Sequence, residues 1–296
     1  MHISNSFNDR SKISPKWCEK WKDGGACCAR EYGAGQEIAI GVQSMSPPFE
    51  KIVVSDTTPL LFLCDHASNR VPDCVGGGSL GLPAEDMSRH IAFDIGARGV
   101  TLGLAHALGG VAILSRFSRL VIDPNRAEDD PTLLMKLYDG TIIPQNRHAD
   151  AVEIARRLDA FHRPYHRAIT QVLNAMPTPP IIVSIHTFTP QLVGRPRRPW
   201  HLGVLSAEDR RIADLLLTRL ERETDICIGD NEPYVGKLEG DCMTQHGINR
   251  GLPHVLIEIR NDLVADAQGE RVWAAKLASV LKDVFDDFKA GETHHG

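Results

Sequence analysis

Twice in this chain a histidine stands at the carboxyl end of an apolar run, and that repetition constrains the fold more than any other feature. Leu60-Leu61-Phe62-Leu63-Cys64 leads straight into Asp65-His66 and then Ala-Ser-Asn-Arg-Val-Pro. Ile181-Ile182-Val183-Ser184-Ile185 leads into His186-Thr187. Short apolar runs bounded by turn signals read as strands buried on both faces, which implies a sheet, largely parallel, covered by helices on either side. Open sheets of that kind hold ligands at the carboxyl ends of their strands. Packing alone does not require Asp-His or His-Thr there, and two strand-end histidines are the expected geometry of a ligand pair.

The remaining elements fit that frame. Val111–Ser115 and the HLGVLS segment near residue 202 read as further strands, and Leu120-Val121-Ile122-Asp123 as a short one. Helical spacing is read over 84–108, 149–175, the AEDRRIADLLLTRLERE stretch and 267–288. Alternation of strands and helices predicts an α/β domain of three layers, α/β/α, around a mixed, largely parallel central sheet. Residues 1–48 differ in character: they are polar, rich in Gly, Ser and Lys, and without clear period. They read as a poorly ordered or surface-packed extension ahead of a single domain over 49–296.

Composition excludes several classes. Apolar residues make up 42% and the net charge is −5, which gives no basic footprint for nucleic acid. No apolar run approaches the length of a membrane span, and no apolar leader core is present, so the expectation is a cytoplasmic protein without a membrane partner. The seven cysteines are scattered, with no CxxC pair, and read as reduced thiols, with Cys64 a core residue. The Gly-rich stretch after Pro72 lacks the Lys-Ser/Thr of a phosphate loop and reads as an ordinary loop.

Other polar residues sit where packing does not explain them. His90 and Asp94 lie four apart on the expected 84–108 helix and so share a face. His162 and His166 have the same spacing beside Tyr165, without the glutamate of a metalloprotease helix, and read as a partly buried structural pair. Arg116, Arg119 and Arg126 cluster in a partly apolar stretch, where arginine needs a carboxylate from the protein or from a substrate. The last strand, within 251–264, puts Val255, Ile257 and Ile259 on one face and His254, Leu256, Glu258 and Arg260 on the other. A glutamate inside so apolar a strand must be paired or carry a raised pKa, which suits a general base near neutrality. Two histidines, an acidic third group, that glutamate and the arginines together describe a zinc hydrolase.

CDHASNRVP, HIAFDIGA, SRLVIDPNR, SIHTFTP, DNEPY and GLPHVLIEIRNDL, in this order, resemble the N-formylglutamate amidohydrolase family, over roughly residues 50–285. That family is similar to zinc carboxypeptidases and aspartoacylases, so the resemblance implies a phosphorylase/hydrolase-like fold and zinc-dependent amide hydrolysis of a small N-acyl amino acid, N-formylglutamate being the type. It implies His66 and His186 as zinc ligands, Glu258 as base, Arg119 on the oxyanion side, and Asn125 and Arg126 gripping the substrate carboxylate. Tyr234 and Arg260 join them as substrate-binding candidates. The wider superfamily has a glutamate ligand three residues after the first histidine; here that position is Asn69. The third ligand is then Asp94, favoured, Asp65, or Asn69 itself as a weaker ligand. The alternative readings are a carboxypeptidase-like hydrolase of short peptides and a non-catalytic small-molecule binder. Oligomeric state is not legible in the sequence.

Overall fold

Seven strands form one sheet, in the order Phe49–Val53, Val111–Ser115, Leu60–Cys64, Ile181–Phe188, His254–Arg260, Leu202–Leu205 and Ile228–Asp230. The structure, a computed structural model, describes residues 46–176 and 179–293, so the expected extension lies outside the described residues over 1–45. The central strands are β2 (Leu60–Cys64), β3 (Val111–Ser115), β6 (Ile181–Phe188) and β9 (His254–Arg260), all parallel to one another. Every residue of these four is buried, as the continuous apolar runs require. β1 (Phe49–Val53) runs antiparallel to β3 on one edge. On the other side β7 (Leu202–Leu205) runs antiparallel to β9 and carries β8 (Ile228–Asp230). A separate two-stranded ribbon joins β4 (Leu137–Tyr138) to β5 (Thr141–Ile142).

Side-chain alternation along the strands decides which helix each residue meets. Leu60, Phe62 and Cys64, with Val255, Ile257 and Ile259, face α2 (Ala97–Leu108), α5 (Arg211–Leu220) and α7 (Ala267–Thr293). Leu61, Leu63, Ile182 and Leu256 face α4 (Arg163–Ala175) and α6 (Cys242–His246), meeting Tyr165, Ile169, Val172 and Met243. The protein is therefore a three-layer α/β/α molecule with a mixed, largely parallel sheet, as the sequence predicts. Each fully buried Leu, Ile or Phe in these layers contributes about 1.5–3 kcal/mol of transfer free energy. A third apolar cluster, including Phe117, Leu120, Ile122 and Phe161, lies under the loops that follow the strands.

Three expected elements come out differently. The single helix over 84–108 is broken: α1 covers only Ala84–Met87, and turns follow until Gly96 caps α2 with a left-handed φ of 80°. The 120–123 segment is a turn, closed by Val121 N–H donating to the Ser118 carbonyl at 2.8 Å. The 149–175 helix is present but divided, as α3 (Ala151–Arg157), a π-helical turn Leu158–His162, and α4. Pro164 has no N–H to give to the turn before it, which accounts for the widened segment.

Candidate active site

Strand order places the site. Connections from β2 lead one way to β3, while β6 and β9 lie on the other side, so the gap between β2 and β6 is the switch point where a parallel sheet opens a crevice. Asp65 and His66 leave the end of β2, and His186 stands near the end of β6. The two imidazole rings lie edge to face, with centroids 5.0 Å apart. The broken helix supplies the third group. Asp94 N–H donates to the His66 carbonyl at 3.0 Å, and its carboxylate Oδ2 lies 3.4 Å from His66 Nδ1 and 2.9 Å from His186 Nδ1. Gly96 permits that turn: a Cβ there would stand 2.1 Å from the Val264 carbonyl oxygen. The ligand atoms of His66, Asp94 and His186 all lie within 4.8 Å of one another, and all three residues are buried.

The outer face of each imidazole is also held by a carboxylate. His66 Nε2 is 2.7 Å from Asp123 Oδ1, and His186 Nε2 is 3.0 Å from Asp65 Oδ2. Asp65 further accepts from the Tyr165 hydroxyl at 2.7 Å and from Ser184 Oγ at 3.3 Å. A carboxylate only accepts, so Nε2 of each ring donates outward, and His186 Nδ1 donates to Asp94 unless an ion takes that lone pair. Carboxylate–histidine–metal relays have this arrangement. Arg119 donates to Asp123 Oδ2 from Nε (3.1 Å) and from one terminal nitrogen (2.7 Å), and lies 3.4 Å from Asp94 Oδ1.

The charges test whether a metal fits. Burial alone would raise the pKa of Asp65, Asp94 and Asp123, yet the neighbouring histidines and, for Asp123, Arg119 hold all three well below the usual carboxylate range. Burial likewise opposes a charged His186, but the bonds it donates to Asp65 and Asp94 hold its pKa well above the ordinary value. Without an ion, the charges of Asp65, Asp94 and Asp123 are met by Arg119 and by the protonated His186; a divalent cation on the Nδ1 side would take over from the His186 proton and leave the imidazoles neutral. The donor set of two imidazole nitrogens and one carboxylate oxygen, with second contacts in place, fits zinc.

Glu258 completes the group from β9, directly across from His186 in the strand register. Its Oε2 is buried with no hydrogen-bond partner, and burial pushes its pKa up to about 7. On its other side Glu258 pairs with Gly203 of β7. A Cβ on Gly203 would stand 2.1 Å from the Glu232 carbonyl oxygen, so the missing side chain admits the loop carrying Pro233 and Tyr234. His66, Asp94, His186 and Glu258 open on a cleft of about 420 Å³, whose walls include Arg119, Asn125, Arg126, Tyr138 and Tyr234.

Most residues singled out in the sequence thus meet in one cleft, with differences in detail. Asn125 reaches it but uses its Oδ1 to accept from Cys242 N–H at 3.0 Å. Among the described residues, Arg126 bonds to neutral oxygens, Thr132 Oγ1 and the Asn125 carbonyl. Tyr234 stands at the rim, 41% exposed, with the Arg198 guanidinium 5.0 Å over its ring. Arg260 is not on the cleft wall; it turns to Asp262 (2.7 Å) and the Trp200 carbonyl (3.3 Å). His90 shares no helix face with Asp94 and instead lies 3.4 Å from Asp139. Asn69 is exposed, and its amide donates to the Met87 carbonyl. Asp65 is behind His186, on the nitrogen away from Asp94. The residue that sequence reasoning missed is Asp123. The only signal for it was an acid immediately after the apolar Leu-Val-Ile and before Pro-Asn-Arg.

Comparison with known proteins agrees with the fold. A family profile described as N-formylglutamate amidohydrolase matches residues 58–265. The crystal structure of a gene product from Agrobacterium tumefaciens superposes with a TM-score of 0.77 at 30% identity, covering 82% of this chain and 97% of that one. The crystal structure of N-formylglutamate amidohydrolase from Ralstonia eutropha superposes with a TM-score of 0.64 at 19% identity, covering 83% of this chain and all of the other (100%), a likeness of fold. Among the curated proteins none matches the chain.

Proposed function

We infer that this chain, which belongs to the N-formylglutamate amidohydrolase family, is a zinc-dependent hydrolase of the amide bond of a small N-formyl amino acid such as N-formylglutamate. The observation that carries the reading is the buried convergence of His66, Asp94 and His186 beside the unpartnered Glu258 carboxylate, all opening on one cleft. His66 Nδ1, His186 Nδ1 and an Asp94 oxygen would hold the zinc ion. Bound there, zinc supplies Lewis acidity, polarising the amide carbonyl and bringing the pKa of water toward neutrality.

The chain's own residues do the rest. Glu258 takes a proton from the attacking water and returns it to the leaving nitrogen; a carboxyl titrating near 7 suits both halves of that exchange. Arg126, whose bonds among the described residues go to neutral oxygens, is free to clasp the substrate carboxylate. Arg119 is already engaged with Asp123 and Asp94. It therefore fixes those carboxylates first, and its face on the cleft adds positive charge where the carbonyl oxygen becomes negative. Asp65 and Asp123 hold the two imidazoles in the ligating tautomer. Tyr234, at the rim, would pack against the bound substrate.

Purified protein loaded with zinc and offered N-formylglutamate, N-acetylglutamate and a panel of dipeptides tests this. Release of formate from the first compound, abolished by chelation and restored by zinc, is the expected result. Hydrolysis of the dipeptides alone would replace it with a carboxypeptidase-like activity, and no zinc binding would remove the enzyme reading altogether.

A further inference from the structure

A second set of metal-ligating side chains lies where α4 meets α6. Cys242 and His246 are one turn apart on α6, and His162 and His166 one turn apart where the π-helical turn passes into α4. His166 Nδ1 is 2.8 Å from His246 Nε2, and the two rings are stacked with centroids 5.1 Å apart. Cys242 Sγ shares this space: the ligand atoms of the three residues lie within 4.8 Å of one another, and all three residues are buried.

Hydrogen bonding fixes which atoms are available. His166 Nε2 is 2.9 Å from the Pro124 carbonyl oxygen, which can only accept, so Nε2 carries the proton and Nδ1 presents its lone pair to His246. This is how a ligating histidine is usually anchored. Neither tautomer of His246 satisfies both of its nitrogens, because its Nδ1 is buried without a partner. A proton on Nε2 leaves a bare Nδ1. A proton on Nδ1 turns two lone pairs toward each other at 2.8 Å. A cation held by both lone pairs removes the second of these conflicts, with the two rings parting from 2.8 Å to admit it. Access is provided by a separate cleft of about 400 Å³, lined by His162, His166, His246, Glu128 and Gln245 among others. His162 Nδ1 is also buried without a partner, and its ring centroid is 4.4 Å from that of His166.

We propose that His166 Nδ1, His246 Nε2 and Cys242 Sγ form a second metal site, for a borderline transition-metal ion of the zinc class, separate from the His66–Asp94–His186 group. Two imidazole nitrogens and one thiolate select that class over calcium or magnesium. Burial and the neighbouring Asp65 carboxylate, to which the thiol donates, oppose ionisation of Cys242; metal binding exchanges that S–H bond for a sulfur–metal bond, and the proton leaves to solvent without any change of oxidation state. The ion would tie α4 to α6 directly behind Asp241, a wall residue of the active cleft, and beside the bond from Cys242 N–H to Asn125. The proposal does not depend on the hydrolase reading.

Cobalt titration of the full, chelator-stripped chain tests it, because the His66–Asp94–His186 group contains no sulfur. A thiolate-to-cobalt charge-transfer band in the near ultraviolet therefore reports the second site. The expected result is such a band in the unaltered protein, lost together with one equivalent of bound metal in Cys242→Ser and in His246→Gln. His186→Ala should keep the band. Cys242→Ser preserves shape and the backbone bond to Asn125, and melting of the metal-free variants checks their folding. No thiolate band at saturating cobalt, or a band that survives Cys242→Ser, would overturn the proposal. A band with a single bound equivalent would uphold it and instead count against metal at the first site.

Discussion

Glu258 is the residue on which both chemistry and stability can be read. Its Oε2 has no partner, so Glu258→Gln costs little in hydrogen bonding but removes the proton acceptor. The expected loss in kcat/KM is about 10²–10⁴-fold with metal content unchanged, measured by steady-state kinetics alongside metal analysis. The same carboxyl links folding to pH. Burial raises its pKa from 4.5 to about 7 in the folded protein, so the folded state binds the extra proton between those values. Stability from this group is complete below pH 4.5 and is lost as pH rises through 7, up to about 3 kcal/mol. Urea unfolding of the metal-free protein from pH 5 to 8 should show that decline relative to Glu258→Gln, which lacks the titrating carboxyl. Parallel pH curves for the two proteins would contradict it. Asp123 acts through His66 Nε2. Asp123→Asn should weaken zinc binding about 10–100-fold while leaving the three ligands intact, measurable by competition with a chromophoric chelator.

At the scale of elements, the break in the expected 84–108 helix is what brings Asp94 to the histidines. The HIAFDIGARG stretch has helical spacing, and nothing local forbids a helix there. The cost of breaking it is offset by tertiary bonds: Asp94 N–H to the His66 carbonyl, Thr187 N–H to the Asp94 carboxylate, and Gly96 against Val264. Gly96→Ala should therefore destabilise by at least about 2 kcal/mol, combining the left-handed φ with a collision at 2.1 Å. It should also lower zinc affinity, because Asp94 lies two residues before the strained turn. Chemical denaturation and metal titration of the same variant separate the two effects. The sequence placed Asp94 on a helix; the structure brings it beside the histidines from a turn instead. Arg260 shows the converse: its strand and face were read correctly, but Asp262, two residues on, draws the guanidinium away from the cleft.

For the molecule as a whole, three buried aspartates, two histidines and one arginine at the carboxyl ends of the central strands make an electrostatic demand that folding must meet. A divalent ion meets it without protonating the imidazoles, so chelation should lower the melting temperature and added zinc should restore it. With free zinc at about a thousand times its Kd, linkage gives about 4 kcal/mol of stabilisation. A melting temperature indifferent to chelator would argue against an ion at this position. No helix among the described residues is long and apolar enough to cross a membrane.

The sequence by itself determined the layers and the principal partners. Residues buried on both faces must be apolar without interruption, so the central strands announce themselves, and a polar residue at their ends needs another reason to be there. His66, His186 and Glu258 are legible on that ground. Only the tertiary structure decided what each of them faces. Whether His186 turns Nδ1 or Nε2 inward, whether Asp65 or Asp94 is the inner acid, and that Asp123 closes the relay all depend on contacts between residues 28 to 121 positions apart in the chain. The second histidine group was hidden for the same reason. His162 and His166 are visible as a helical pair, but Cys242 and His246 join them only because both helices cover one face of the sheet. Periodicity is a local property of a chain, while coordination and charge balance belong to the space that the folded chain encloses.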